Sequence, residues 1–450
     1  MEESNNKKNN LKSVISESWA IGWPMTLIMF FEFMIGLTDV YVAGRFGKEA
    51  QAAYGLAFQL YFVFIIIGIA LSIGSVSVIS RLFTSENKEE FALSVNSSFL
   101  MAAVTGLFFT VLGVIFAGNI INLLNIPQEI KGYASTFLAI YSLGFVFDYI
   151  LMNTNGTLRA CKLIKKSLIS MAIVCVLNIM LDFILALHTP LGFRGISIAT
   201  VISLCVGVIF NIVYMRKVCK LAFEFTFAIV KKIIKISWPS GVLQVVWQLG
   251  VMAIFLIINA LPKYSIEVMA AFTNGLRIES AIFLPAFAFN MANAVLVGNL
   301  LGKNKKDEAV HMGATTALLG VGIIFLLAVV VFLNVKKVAA VLSDNAMVVD
   351  ESIKYIYISL IAEPIMAWGL ILGGGLNGAG DTKSVMFIVT LTLWLIRIPL
   401  AFIFGISLGF GAVGIWWAMN TSICFQALFM SLRYFRKKWL VSTEKVLEIK

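Results

Sequence analysis

From residue 14 to residue 434 the chain alternates between long apolar stretches and short polar or charged breaks. Each stretch reaches the roughly 20 residues that a helix needs to cross the hydrocarbon core of a bilayer. Inside lipid, a backbone must bond to itself, so a charge-poor run of that length reads as a spanning helix. Composition agrees: 60% of the 450 residues are hydrophobic and only 13% are charged, with a mean hydropathy of +0.93. That leaves too little polar surface to cover a soluble body of this length. The expected class is an all-α membrane protein of twelve spans. Their expected limits are 14–42, 50–80, 91–117, 131–155, 164–187, 193–215, 237–260, 266–298, 309–333, 349–376, 384–407 and 412–434.

Other classes are argued against by what the sequence lacks. The polar, Asn/Lys-rich start and the length of the first apolar run do not fit a cleaved signal peptide. Five cysteines form no CxxC pair and are odd in number, so neither a disulfide framework nor a zinc site is implied. Two histidines make no histidine-rich metal site, and there is no Walker loop, nucleophile elbow or histidine base. The chain reads as a non-enzyme that does not use ATP and needs no cofactor.

Charge orients the spans. With the N-terminus in the cytoplasm, the inner segments carry 25 Lys and Arg and the outer segments 8, while Arg277 and Arg397 fall within helices. By the positive-inside rule both termini are then cytoplasmic. The net charge of +11 is thereby a topological signature, and no basic, aromatic-interleaved soluble patch suggests nucleic acid.

Trp23-Pro24 opens the first long run, and Trp238-Pro239 opens the seventh. "RLFTSENKEE" (81–90) and "NLLGKNKKDE" (299–308) close the second and eighth, and "LGF" recurs at Leu191 and Leu408. The members of each pair are separated by nearly the same interval. In register, these pairs divide the chain into two six-helix halves. Six spans return the chain to its starting side. The halves are therefore parallel six-helix bundles related by a pseudo-twofold axis along the membrane normal, an arrangement typical of carriers. The expected organisation is a cytoplasmic tail at 1–13, an N-terminal lobe at 14–215 and a cytoplasmic linker at 216–236. A C-terminal lobe at 237–434 and a basic cytoplasmic tail at 435–450 complete it. "GGGLNG" (373–378) satisfies the dinucleotide fingerprint only as a string. It ends a membrane run with no preceding strand, and close helix packing is the expected role.

"GLTDVYVAGRFG" (36–47), "RACKLIKK" (159–166), "RGISIATVIS" (194–203) and "NGAGDTKS" (377–384) resemble stretches of multidrug and toxic compound extrusion (MATE) transporters, in order over nearly the whole chain. The second and fourth stand at that family's Arg-Ala-x-Gly-Asp-x-Lys signature, although Lys162 and Leu163 replace its Gly-Asp in the first copy. The resemblance implies a multi-pass antiporter of a prokaryotic inner membrane. It would expel amphipathic, often cationic, organic compounds in exchange for Na⁺ or H⁺. The alternative is a lipid-linked saccharide flippase of the same superfamily, for which intramembrane arginines are few here. A monomer is expected, with organic small molecules and the bilayer as partners. One branch of the family places a glutamate in the seventh helix and an aspartate in the tenth. Here Trp247 and Gln248 stand near the first position, and no aspartate lies between Pro364 and Gly375. The N-terminal set Asp39, Asn178, Asp182 and Thr200 instead resembles the branch related to DNA-damage-inducible protein F.

The residues support that set on their own terms. A carboxylate deep in a membrane costs roughly 2.5–3.5 kcal/mol on insertion scales, so Asp182 calls for a cavity and a partner. Asn178, four residues earlier, shares its helix face. Counting depth along the first, fifth and sixth spans puts Asp39, Asn178, Asp182 and Thr200 near one level in the outer part of the N-terminal half. Carboxylate, amide and hydroxyl oxygens suit a hard cation such as Na⁺, and two neighbouring carboxylates also suit a shared proton. The alternative is a polar network that merely braces helices. Glu32, Asp148, Asn155, Arg277 and Glu279 are further candidates for lining a cavity. Pro24 is a candidate hinge, because a helical proline frees a carbonyl and permits a kink.

The charge count predicts the outcome of labelling. A cysteine placed at Lys131 should react with an impermeant thiol reagent added outside intact cells, and one at Lys231 should not; the reverse pattern would invert the topology.

Overall fold

A computed structural model describes residues 2–219 and 224–440, with side chains from residue 12 onward. Fourteen α-helices and three π-helical segments, and no strand, occur among the described residues. In the first half these are α1 (Glu2–Gly44), α2 (Lys48–Thr84), α3 (Lys88–Leu123), α4 (Gln128–Ser142), α5 (Phe145–Ala160), α6 (Ile164–Leu181) and α7 (Arg194–Val218). In the second they are α8 (Phe227–Asn259), α9 (Ser265–Gly302), α10 (Lys306–Leu342), α11 (Ala346–Gly378), α12 (Thr382–Leu391), α13 (Ile398–Phe402) and α14 (Gly411–Phe435). π-Helical segments Asp182–Leu187, Thr392–Arg397 and Ile403–Ser407 continue the fifth and eleventh spans.

Eleven spans are single stretches long and apolar enough to cross a membrane, and the bent pair α4–α5 supplies the twelfth. The expected fourth span, 131–155, is thus not one straight rod. It turns by 48° between Ser142 and Phe145. Leu143 and Gly144 tighten the chain there, with the Gly144 amide donating to Tyr141 O at 2.9 Å. Ser142 Oγ donates back to Leu138 O at 2.6 Å, a local bond that competes with the helix ladder and favours a kink. The bend is held against α3, where Thr110 Oγ1 accepts from the Val146 amide at 3.1 Å.

The chain forms two units, one of residues 27–241 (the N-terminal lobe) and one of residues up to 26 with 242 onward (the C-terminal lobe). These limits differ from the expected 14–215 and 237–434. In the C-terminal lobe, Ser18 and Thr316 hydroxyls are 2.8 Å apart, and Trp19 meets Phe289. In the N-terminal lobe, Lys232 pairs with Glu90 at 3.3 Å, and the Thr226 amide donates to Ser97 Oγ. Each boundary falls just beyond a proline, Pro24 in α1 and Pro239 in α8. Both helices run unbroken through their proline. The expected linker 216–236 is in part the end of α7 and the start of α8. Residues 220–223 and 441–450 lie outside the described part.

The same packing order recurs in each lobe. In the N-terminal lobe α2, α3 and the α4–α5 pair pack together, α6 and its π segment lie on α7, and α5 meets α7. In the C-terminal lobe α9, α10 and α11 pack together, the π-interrupted eleventh span lies on α14, and α11 meets α14. The "GGGLNG" stretch ends α11 where it crosses α9. A Cβ at Gly374 would come within 2.1 Å of Asn290 O, and one at Gly378 within 2.0 Å of Ala294 O. These glycines let two backbones touch, which is how membrane helices gain packing where lipid offers no hydrophobic drive.

Gly374→Val and Gly378→Val should each lower the melting temperature of the purified protein, since overpacking costs about 1–3 kcal/mol or more. Gly322→Ala on α10, whose Cβ would meet nothing within 4 Å, should leave it unchanged or slightly raised; equal losses at all three would refute the close-packing role.

Candidate cation site in the N-terminal lobe

Asp39 lies near the C-terminal end of α1 and is 1% exposed; Asn178 and Asp182 on the fifth span are fully buried. Asp182 is the first residue of its π segment, so the helix widens just where the acid enters the interior. Such π turns commonly mark functional positions. Gly195 explains how α7 comes close enough to contribute. A Cβ there would stand 2.6 Å from Ala186 N and Leu185 C, so only glycine lets α7 lie directly on the π segment. Further along α7, Thr200 Oγ1 accepts a hydrogen bond from Asn178 Nδ2 at 3.3 Å and donates to Ile196 O at 3.1 Å.

Asp39 and Asp182 lie close enough to act on each other electrostatically. Tyr54 on α2 donates its hydroxyl to Asp39 Oδ2 at 3.3 Å, and Tyr141 on α4 interacts with both acids and with Asp148. With both acids ionised, four buried oxygens here accept no hydrogen bond: Asp39 Oδ1, Asn178 Oδ1 and both carboxylate oxygens of Asp182; Asp39 and Asp182 can bond to each other only through a shared proton. Buried polar atoms are otherwise nearly always paired, so this concentration of oxygens is chemically unsaturated. Oxygen donors alone, including two carboxylates, fit a hard monovalent cation or protons. Among the described residues no group of three or more His, Cys, Asp or Glu stands ready for a metal ion.

A file of aromatic rings runs from Asp39's partner Tyr54 to the surface. Tyr54 stacks edge-on to Phe137 at 5.5 Å, and Phe137 meets Phe193 at 5.1 Å. Beside Phe193 a recess of about 330 Å³ opens, lined among others by Glu129, Tyr133, Thr136 and Arg194.

The remaining candidates scatter. Asp148 on α5 accepts from Tyr61 Oη at 3.0 Å. Glu32 is exposed, and it interacts electrostatically with Asp148 and with buried Arg159. Asn155 does not face the pocket. Its Oδ1 accepts from Ser167 Oγ and Asn211 Nδ2, both at 2.9 Å, and so braces α5, α6 and α7. Arg277 and Glu279 diverge, because a two-residue separation places them on opposite sides of α9. Arg277 is exposed, whereas Glu279 is buried and accepts from Tyr355 Oη at 2.7 Å. Sequence reasoning missed Tyr54, Tyr141 and Gly195; no spacing rule links them to the acids. It also left open a buried set in the C-terminal lobe. There Arg397 lies over Trp247 at 5.5 Å and donates to Ser422 at 2.8 Å, and Glu363 keeps an unpartnered buried oxygen.

The MatE family profile matches residues 24–184 and again residues 239–403. The chain belongs to the MatE family. The two matches begin at Pro24 and Pro239, the prolines of the two Trp-Pro pairs, so each half carries one MatE unit. Among curated relatives, the probable multidrug resistance protein NorM of Thermotoga maritima is 24% identical over 93% of this chain and 92% of its own. The uncharacterized transporter YisQ of Bacillus subtilis is 22% identical over 95% of each. The MatE fold is likewise that of solved structures. Crystal structures of MATE in its straight and bent conformations each superpose with a TM-score of 0.88 at 18% identity, covering 96% and 97% of this chain respectively and 97% of theirs. A MOP superfamily transporter from Pyrococcus furiosus superposes with a TM-score of 0.86 at 17% identity, over 96% of this chain and 97% of its own.

Gly195→Val should part α7 from the π segment and separate Thr200 from Asn178. Any stabilisation of the purified protein by Na⁺ or by acid, read as a melting shift, should shrink while the protein still folds. An unchanged shift would detach α7 from the site.

Proposed function

We propose that this protein is a secondary multidrug antiporter that exports amphipathic, often cationic organic compounds in exchange for Na⁺ or H⁺, with coupling at Asp39, Asn178, Asp182 and Thr200. The observation that carries this reading is the set of four unpartnered buried oxygens shared by Asp39, Asn178 and Asp182. The printed name of the Thermotoga relative, a probable multidrug resistance protein, supports the export of drugs. The excess of basic residues on one set of loops supports cytoplasmic termini, and the bacterial sources of the relatives support placement in a prokaryotic inner membrane.

The mechanism follows from charge. Two carboxylates in an apolar interior repel one another, and their repulsion is screened far less than in water. A cation or proton between them removes that repulsion and draws α1, which carries Asp39, toward the π segment and α7. When it leaves, α1 is released on that side. Pro24 lies fifteen residues along the same helix and gives α1 a place to bend in response. A driving ion can shift the balance between two shapes only by binding one better than the other; an oxygen set shared by three elements changes whenever those elements move. Asp148 adds a further acid within the same lobe, suited to a cationic substrate, and Glu32 shares its surroundings with Arg159.

Asp39→Asn and Asp182→Asn should each abolish Na⁺- or H⁺-driven ethidium efflux in everted vesicles, at normal levels of inserted protein. Asn178→Ala and Thr200→Ala should weaken the apparent cation affinity yet keep exchange. Gln248→Ala, at an exposed position on α8, should transport normally. Asp182→Asn efflux at the wild-type rate under both gradients would reduce the site to a helix brace.

A further inference from the structure

The turns that enter the fifth and eleventh spans are equivalent by structure and opposite in charge. Three residues, 161–163, join α5 to α6, and three, 379–381, join α11 to α12. Both turns hold their second residue in the left-handed region, Lys162 at φ 60° and Gly380 at φ 85°. Glycine takes that conformation freely and lysine does not. The N-cap residue is Asp381 in one turn and Leu163 in the other. Asp381 is paired with Arg433 near the end of α14, at 2.7 Å from both Nε and Nη2, and accepts from Ser384 Oγ at 2.7 Å. Arg216 occupies the matching place, two residues before the end of α7. Leucine stands at the cap instead of an acid, and among the described residues Arg216 has no ion-pair partner.

Lysines have also accumulated in the first copy. Lys162, Leu163, Lys165 and Lys166 stand where the second copy has Gly380, Asp381, Lys383 and Ser384. Three positive charges therefore replace a neutral set, at the positive end of a helix dipole where anions are favoured and cations are not. α6 has no acidic residue in its first turn. Lys166 and Lys217 both lie over the ring of Tyr214, with Nζ at 4.6 and 5.2 Å from its centre. The two ammonium groups repel each other across one aromatic side chain. Among the described residues none of Lys165, Lys166, Arg216 and Lys217 makes an ion pair. From this cluster α6 exposes Ile169, Val176 and Met180 along one face, and α7 exposes Ile202, Ile209 and Val213 along one face. Basic side chains at a membrane surface, continuous with apolar helix faces, are complementary to a phosphodiester headgroup and its acyl chains.

We propose that the α5–α6 turn and the end of α7 form a docking site for the headgroup of an anionic phospholipid, in the leaflet that these residues face. On the orientation proposed above this is the cytoplasmic leaflet. The phosphate lies against Lys165, Lys166, Arg216 and Lys217 and takes the part that Asp381 plays in the other half.

The test counts lipids retained by the full chain in detergent, by native mass spectrometry, during titration with phosphatidylglycerol or phosphatidylcholine. The wild type should retain phosphatidylglycerol in preference. K166Q/K217Q should weaken that binding about fivefold for each lysine removed. K162G/L163D restores the second copy's residues in a backbone that suits them. It gives Arg216 a partner and should lose the preference too, so the proposal stays testable if the lysine variant fails to fold. K336Q/K337Q, on the other side of the membrane, should bind as the wild type does. Retained preference in either cluster variant would overturn the site, as would an equal loss in K336Q/K337Q. Displacement of the lipid by millimolar inorganic phosphate would show a site for a free anion instead and would also overturn it.

Discussion

Two carboxylates enclosed in an apolar lobe with too few donors are the constraint around which the first half of this protein is arranged. Such groups are tolerated in a membrane only where something answers their charge. Tyr54 supplies one hydrogen bond and Asn178 is itself occupied with Thr200. The ring file of Tyr54, Phe137 and Phe193 leads from Asp39 to the recess beside Phe193. For acids this deeply buried, each remaining interaction gains strength, because screening falls with the local dielectric. Gly195 and the π turn at Asp182 are then the means by which backbone gives way so that side chains can converge.

The C-terminal lobe repeats the packing but not this chemistry. Its eleventh span also carries π turns, and Gly414 lies on the second of them as Gly195 lies on the π segment of the fifth span: a Cβ would stand 2.6 Å from Phe404 O. Both lobes bury an arginine, Arg159 in the first and Arg397 in the second. Arg397 is fixed between Trp247 and Ser422 and acts on Glu279, which Tyr355 also holds. In the N-terminal lobe Arg159 acts on Glu32, and among the described residues no cation acts on Asp39 or Asp182, whereas Glu279 faces Arg397. Glu363, with its unpartnered oxygen, is the exception.

The spans, their repeat and the convergence of Asn178 with Asp182 were legible because each rests on a period. Apolar length marks a crossing, the return of Trp-Pro at the head of the seventh span marks a duplication, and a spacing of four marks one helix face. Asp39 joined them through depth alone, which counting supplies. What stayed hidden depends on which side chains meet across helices. Tyr54 and Tyr141 are two of 11 tyrosines, and nothing in their spacing distinguishes the pair that reaches the acids. Asn155 shares a face with Asp148, yet contacts with Ser167 and Asn211 settle its role. The 48° bend in the fourth span arises from a serine and a glycine that are unremarkable within an apolar run. The Lys162-Leu163 departure from the signature was visible, but its meaning required the Asp381–Arg433 pair for contrast.

The division of α1 and α8 just beyond their prolines means that the two halves of the sequence are not the two lobes. Cut the protein between α7 and α8, and neither piece holds a whole lobe. The first piece lacks the strip 227–241, and the second lacks 12–26. Each fragment would carry an arm belonging to its neighbour. Neither fragment could therefore complete its own core alone, and the covalent link between the halves secures for each lobe a helical strip that lies on the far side of the cut.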